Sequence, residues 1–492
     1  MILYTENHTY KYECEKICRL YYPAERIVFA CDTEKAIDTD EKRLYTGIAE
    51  KGDILTFSCK AVMKETESQY SFHWEKDAED SDSLRERLLA KAMTRVLTDI
   101  TGIIPPWGIL TGIRPAKLMH KYMKEEGSER TAERFMNFFE VSPEKTALAL
   151  KVAQCEDACI RLSGRNSVSL YVSIPFCPTR CSYCSFVSHS IDKAQKLIPD
   201  YIKNLCLEIE ETARIMKESS LKLETVYVGG GTPTSFSASQ LKTVLDALKK
   251  FLDMENVREF TVEAGRPDTI DEEKLKVLKD AGVTRISINP QTFSNSVLEA
   301  IGRSHTAEDA VEKYLLARKT GFDNINMDFI AGLPTDTLES FRKTIDKAIS
   351  LSPENITVHT LALKRSSSIV TENEESSLSD CTVQMTEYAN KVLSENGYFP
   401  YYMYRQSKSL GNLENVGWCK KDMPCLYNIY MMEEIHTVLA VGGAAVTKLK
   451  DPGSDCLQRI FNFKYPYEYI TRFDELLQRK KQITEFYASL HL

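Results

Sequence analysis

The stretch "SLYVSIPFCPTRCSYCSF", Ser169 to Phe186, governs the reading of the whole chain, because it sets three cysteines into eight residues behind an apolar run. Cys177, Cys181 and Cys184 have C-x3-C-x2-C spacing. Three thiolates on so short a loop grip three corners of a compact soft-metal site, and thiolate sulfur suits iron-sulfur clusters and zinc far better than hard cations. A fourth corner is left open. In a 4Fe-4S cubane whose fourth iron lacks a protein ligand, a small molecule carrying an amine and a carboxylate chelates that iron, as S-adenosylmethionine does before reductive cleavage. Radical chemistry is the leading expectation. The alternatives are a structural zinc site or three unconnected core cysteines. Four-ligand zinc sites usually show two paired knuckles, and this chain has no second C-x2-C.

The residues on either side point the same way. Leu170, Tyr171, Val172 and Ile174 form a strand pattern that Pro175 stops, so the cysteines sit on a loop leaving a strand's C-terminal end, where barrel enzymes keep their chemistry. Tyr183, between the last two cysteines, would lie beside the cluster and offers a face for an adenine. Downstream the chain alternates strand and helix. A strand at Thr225 to Val228 runs into Gly229, Gly230 and Gly231, which allow close backbone approach to a ligand, and Thr232 adds a hydroxyl. Ser237 and Gln240 have capping-box spacing for the next helix. The run is no phosphate loop, since the lysine of that motif is absent. Further strands place Glu263, Gln291, Asp328 and Ala362 at the same rim, with Arg285 entering one strand and Arg303 between helical segments. Five strand-helix units from about 168 to 350, with a sixth strand ending near 363, imply a parallel sheet with right-handed crossovers, curled into a partial barrel.

Tyr-x-Ser-Ile-Pro-Phe-Cys followed by x3-Cys-x-Tyr-Cys resembles the radical S-adenosylmethionine enzymes, and within them the oxygen-independent coproporphyrinogen III oxidase (coproporphyrinogen dehydrogenase) family. The resemblance covers roughly residues 168 to 450; the long extension before it is similar to that of one branch of the family. It implies an α/β fold: a radical-SAM partial (β/α)6 barrel over 163-370, an N-terminal α+β domain over 1-162, and a mainly helical C-terminal region over 371-492. It also implies a 4Fe-4S cluster on Cys177, Cys181 and Cys184. Tyr171, Gly230, Glu263 and Ala362 match contacts to the cluster-bound S-adenosylmethionine, and Tyr183, Gly231, Thr232, Gln291, Arg303 and Asp328 match contacts to a second molecule of it. The implied reaction converts two propionates of coproporphyrinogen III to vinyl groups, giving protoporphyrinogen IX, with electrons from an external donor such as flavodoxin or ferredoxin. No side chain need act as nucleophile. Two positions depart from the pattern. Ser173 stands where family members acting on coproporphyrinogen usually carry His, and Phe186 where they commonly carry a fourth cysteine. Those features resemble the heme-chaperone branch instead, so a heme-binding role is the alternative, as is another radical reaction on a tetrapyrrole.

Composition bounds the rest. A chain of 492 residues buries a sizeable core and holds two or three domains. Its net charge of -8, from 71 acidic and 63 basic side chains, disfavours a general nucleic-acid surface. A tetra-anionic porphyrinogen would need a basic pocket set against that sign. Fourteen cysteines, no secretory leader and no apolar run near a membrane span point to the reducing cytoplasm. Residues 1 to about 62 read as a small sheet of four runs, "MILYTE", "RIVFACD", "RLYTGIAE" and "DILTFSCKAVM". A helix from Ser83 to Asp99 follows, and another helical stretch runs from Pro115 to Leu162. Arg114 and Lys117 either reach the active site or begin a solvated helix. Cys14 with Cys18, and Cys155 with Cys159, are spaced for buried packing on one helix face. Helices are expected near Ser379 to Asn396 and in the last twenty residues. The segment between them resembles the family's substrate-side segment, ending in a glycine-rich turn over the barrel mouth. Lys420, Lys421 and Arg405 either pair with propionates or stay solvated, and Cys419 with Cys425 lacks the partners for an extra cluster.

Overall fold

The computed structural model describes residues 1–23, 25–30, 42–64, 66–76, 80–112, 114–186, 188–362, 375–406, 409–454 and 456–490. The chain divides into two compact units, one built mainly from Met1–Leu150 and the other from the chain after it.

The first unit opens with β1 (Ile2–Glu6), α1 (Lys11–Tyr21), β2 (Val28–Ala30), β3 (Arg43–Lys51), β4 (Ile54–Met63), β5 (Thr66–Glu75) and α2 (Asp82–Thr101). Its sheet runs β2-β1-β3-β4-β5. Along β4 every second residue, from Leu55 through Phe57, Cys59 and Ala61 to Met63, is buried, which is the period of a sheet with one covered face. The cover is α2, whose Leu88, Leu89, Ala92, Met93, Val96 and Leu97 are buried as their helical spacing predicts. Ser81 caps its start, and Gly102 ends it in the left-handed conformation at φ 71°. Two elements escaped the sequence: α1, which buries Cys14 and Cys18, and the mostly exposed β5. Cys31 and Asp32 of the expected second strand lie outside the described residues. The helical stretch from Pro115 is three helices, α3 (Pro115–Glu126), α4 (Ser128–Asn137) and α5 (Pro143–Ile160). Gly127 at φ 83° separates the first two, and Arg114 precedes α3 while Lys117 lies in its first turn.

The second unit continues with β6 (Ser167–Ile174), β7 (Phe176–Cys177), β8 (His189–Ser190), α6 (Ile191–Ala194), α7 (Ile198–Glu218), β9 (Lys222–Gly230), α8 (Ala238–Phe251), β10 (Glu259–Glu263) and α9 (Glu272–Asp280). Then come β11 (Arg285–Ser287), α10 (Asn295–Ala300), α11 (Ala307–Lys319), β12 (Ile325–Ala331), α12 (Leu338–Leu351) and β13 (Asn355–Thr360). The chain ends with α13 (Glu375–Glu395), β14 (Phe399–Arg405), β15 (Glu414–Cys419), α14 (Leu426–Glu433), β16 (Thr437–Val441), β17 (Val446–Lys450), β18 (Leu457–Phe461), α15 (Pro466–Thr471) and α16 (Phe473–Ser489).

These strands form one sheet in the order β14-β15-β13-β12-β11-β10-β9-β6-β16-β17-β18. The six strands read from the sequence pair in parallel in the middle of it. The C-terminal region carries its expected helices and adds strands at both edges: β15 runs antiparallel to β13, and β16 runs parallel to β6. The curl of the sheet is visible in its contacts. One apolar cluster joins Tyr401 and Tyr402 of β14 to Val438 of β16, Tyr171 of β6 and Tyr227 of β9, and α14 brings Tyr427 and Tyr430 to fill the space between.

Parallel strands covered on both faces usually read as unbroken apolar runs. These alternate. Leu170, Val172, Val226, Val228, Phe260, Val262, Ile286 and Met327 are buried on one side, while Ser169, Tyr171, Ser173, Thr225, Tyr227, Thr261, Glu263, Ser287, Asn326 and Asp328 occupy the alternate positions. A polar inner face is poor core and good binding surface.

Candidate active site

Pro175 ends β6, and the chain leaves the sheet as the cysteine loop. The loop is pinned at its neck, where Phe176 pairs with His189 and Cys177 with Ser190. The glycine run at the end of β9 lies against it. The Gly231 N–H donates to Ile174 O at 2.9 Å and the Thr232 N–H to Phe176 O at 2.7 Å. A Cβ on Gly231 would stand 2.6 Å from the Phe176 carbonyl oxygen, and Gly230 holds φ at 112°. The glycines are thus demanded first by the backbone of the cysteine loop. Thr232 reaches further, with Oγ1 3.5 Å from the Cys177 sulfur.

Cys181 is buried, with Cys177 and Cys184 half-buried beside it. Burial pushes the Cys177 and Cys184 thiols up, so their ionisation is coupled to arrival of a cation. Three thiols on one short loop are the soft donor set that iron-sulfur chemistry uses.

Next to the loop, Tyr183 accepts a hydrogen bond from Arg303 at 2.7 Å and packs on the apolar cluster of Ile301, Ile330, Leu333 and Leu361. The loop is also tied by the Ser182 N–H to Ile301 O at 3.1 Å. Inside the rim, Tyr227 donates to Glu263 at 2.6 Å. The Glu263 carboxyl is pushed up to about 7 by burial, opposed by the Tyr227 hydrogen bond and reinforced by Asp328. Asp328 shifts the other way. Burial would raise it, but His359, whose Nε2 is 3.8 Å away, together with Asn326 and Thr357 holds it below the usual range. Gln291 bridges to Phe329, takes the left-handed conformation at φ 72° and has a buried Oε1 with no protein partner. Ala362 pairs with Ser409 just past β13. Tyr171 lies deeper, in a stack with Tyr227 at 6.2 Å and Tyr427 at 6.3 Å.

The structure therefore gathers Glu263, Gln291 and Asp328 around one polar mouth and sets Tyr183 with Arg303 at its cysteine side, while Tyr171 closes the floor. Asp328 sits within β12 rather than at its end, level with Thr357. Three residues were missed: His359 and Asn326 of the mouth, and Arg266 beside the cysteine loop. The first two were findable, since each stands two residues from a residue on the inner face.

Two of the three proposed propionate partners are elsewhere. Lys420 donates to Ser352 O at 2.7 Å at the opposite end of the strands, where Cys419 pairs with Asn355, and Lys421 follows it. The sequence placed these lysines by proximity to the substrate-side segment, but β15 runs antiparallel and carries its end away from the rim. Arg405 pairs with Glu414, whose carbonyl accepts from Thr360 at the rim end of β13, and is buried in the edge of the sheet. The glycine turn does reach the rim: Ser173 donates to Gly443 O at 2.7 Å. Cys425 donates to Glu259 at 3.2 Å and packs with Cys419, Cys159 and Cys155 in the apolar cluster.

Residues 171–348 match the model of the radical SAM superfamily. The chain is 40% identical over 401 residues to the oxygen-independent coproporphyrinogen-III oxidase-like protein HemZ of Bacillus subtilis, covering 80% of each protein. It is also 40% identical over 197 residues to the heme chaperone HemW of the same organism, covering 40% of this chain and 51% of that one. The solved structure of Escherichia coli coproporphyrinogen III oxidase, a radical SAM enzyme, aligns with a TM-score of 0.49 at 21% identity over 66% of this chain and 72% of that one. No described helix is long and apolar enough to cross a membrane. The chain belongs to the radical SAM superfamily, among the oxygen-independent coproporphyrinogen-III oxidase-like proteins, a superfamily that works with a 4Fe-4S cluster and S-adenosylmethionine.

Proposed function

We propose that the protein decarboxylates propionates of coproporphyrinogen III oxidatively to vinyl groups, giving protoporphyrinogen IX in a reducing cytoplasm. The observation that carries this reading is the meeting, at one rim, of the three-cysteine loop with the polar mouth of Glu263, Gln291 and Asp328, in a chain whose 40% identical relative is named oxidase-like. When bound, the cluster and S-adenosylmethionine supply a carbon radical able to take a hydrogen atom. Cys177, Cys181 and Cys184 would hold the cluster. Gly230, Gly231 and Thr232 would present backbone and hydroxyl groups to the methionine part, and Glu263 would accept from ribose hydroxyls or the ammonium. Gln291, Arg303, Asp328 and Tyr183 would hold a second cofactor molecule or orient the substrate. The stack of Tyr171, Tyr227 and Tyr427 keeps water from the floor. Each propionate loses a hydrogen atom, carbon dioxide and one electron, the electron passing to an external one-electron acceptor, and a flavodoxin or ferredoxin delivers the separate electron that starts each cycle.

A second reading, a heme chaperone, is favoured by Ser173 and Phe186 and by the HemW relatives. Anaerobically reconstituted protein incubated with coproporphyrinogen III, S-adenosylmethionine and dithionite decides between them. Carbon dioxide and 5'-deoxyadenosine formed together support the oxidase. Stable heme binding with neither product supports the chaperone and ends the first reading.

A further inference from the structure

Among the described residues, Arg266 is the buried cation with a hydrogen bond to a cysteine of the loop. It follows Gly265 just past β10, where "EAGRP" reads as an ordinary turn, and the residue is 3% exposed. One terminal nitrogen donates to Thr179 Oγ1 at 2.8 Å, to Thr179 O at 3.1 Å and to the Cys181 sulfur at 3.9 Å. The rest of the guanidinium forks onto Asp268, with Nε and the second terminal nitrogen each 3.0 Å from a carboxylate oxygen. Thr179 and Cys181 stand on either side of Arg180, so a single planar group grips the middle of the loop from 85 residues downstream. The other charged groups of this corner are few. Arg303 faces Cys181 and Asp268. His305 Nδ1 is 4.0 Å from Asp268, and burial together with Arg303 keeps that imidazole neutral near pH 7.

A donor aimed at a ligating sulfur does two things in iron-sulfur proteins. It fixes the direction of the sulfur, and it stabilises the form of the cluster carrying one more electron, which raises the reduction potential. A bound carboxylate weakens that effect by offsetting the charge. We propose that Arg266 is a positioning residue for the cluster, shaping the loop through Thr179 and raising the cluster's potential through Cys181, and that Asp268 sets the strength of that effect. The proposal rests on the reading that Cys177, Cys181 and Cys184 hold the cluster.

The holoprotein is reconstituted anaerobically, and its cluster is titrated electrochemically with the reduced state followed by electron paramagnetic resonance. Arg266→Met is expected to lower the reduced-to-oxidised ratio at a fixed potential about tenfold, which for a one-electron couple is a shift of about 59 mV. Asp268→Asn is expected to move the ratio the opposite way, because it frees the guanidinium from its counter-charge. Arg266→Lys should fall between Arg266→Met and the parent. A loosened loop would move both substitutions in one direction, so shifts of the same sign overturn the proposal, as does a parental potential in Arg266→Met. If Arg266→Met takes up no iron, Arg266→Lys against Asp268→Asn decides by the same criterion of opposite sign. Cys181→Ala tests the foundation separately: full iron loading and a parental spectrum there would sink the cluster assignment itself.

Discussion

The two ends of the parallel strands are both polar, and they differ in how their polar groups are satisfied. At the end away from the cysteines, Glu259 accepts from the Leu426 N–H at 2.8 Å, the Tyr427 N–H at 3.1 Å and the Cys425 thiol. Its carboxylate therefore caps α14 from another strand, where a helix N-terminus favours negative charge. Arg285, beside it at 3.5 Å, donates to Asn355 and to the carbonyls of Met423 and Pro424. Glu224 binds Tyr430 at 2.5 Å and Ser163 at 2.9 Å. At the cysteine end, Glu263 and Asp328 repel each other, Gln291 keeps a buried acceptor open, and its backbone is left-handed. Matched polar groups hold a fold together; unmatched ones in strained positions await a ligand. A sulfonium or ammonium ion would meet the carboxyl groups of Glu263 and Asp328 there.

The sharpest way to break this contrast is to unmatch the closed end. Glu259→Leu strands the Arg285 charge and uncaps α14, and removing one partner of a buried ion pair costs about 3–5 kcal/mol. The expected outcome is a loss of that size in chemical denaturation of the second unit, largely recovered in the double variant Glu259→Leu with Arg285→Met. A loss below about 1 kcal/mol would show that the closed end is not held by this pair.

At the open end the same kind of substitution should stabilise. Glu263 keeps its proton up to about pH 7 in the folded protein and to 4.5 as a free group. Its contribution is therefore complete below pH 4.5 and is lost as the pH rises through 7. Tyr227, Asp328 and His359 face it, and Glu263→Gln keeps the Tyr227 hydrogen bond while removing the charge. With 1.36 kcal/mol per unit, the ligand-free variant should be more stable than the parent at pH 8 by at most about 3 kcal/mol and equal to it near pH 4.5. Thermal midpoints measured across that range check it, and parallel curves would mean that Glu263 is not buried as charge. S-adenosylmethionine binding to the parent at pH 6.5 should release protons, read by calorimetry in buffers of different ionisation enthalpy.

The open end was also the legible one. Cysteine spacing and the positions of Glu263, Gln291 and Asp328 along their strands are local features, and a strand's period of two carries them onto one face. The closed end depends on pairings across long separations that spacing does not encode, such as Glu259 with Leu426 or β16 with β6. Lys420 was misplaced for that reason: a residue's end of the barrel follows from strand direction, and "NVGWC" reads the same in either direction. Arg266 hid in a turn because the groups it grips lie 85 residues upstream. β5, "TESQYSFHWE", exposes most of its residues, so no apolar period marked it.

The smallest effect tests the strain itself. A non-glycine residue in the left-handed region costs about 1 kcal/mol or somewhat more, and Gln291 also buries an acceptor that no protein donor reaches. Gln291→Gly removes both, against the greater freedom it gives the unfolded chain, so the ligand-free protein should gain about 1 kcal/mol. The same change should weaken S-adenosylmethionine binding several-fold, because the side chain aimed into the mouth is gone. Gln291→Asn, which tolerates the left-handed backbone, should fall between the two in both measurements. A glycine variant that is less stable than the parent would mean that the position is set by packing around Phe329 and not held for a ligand.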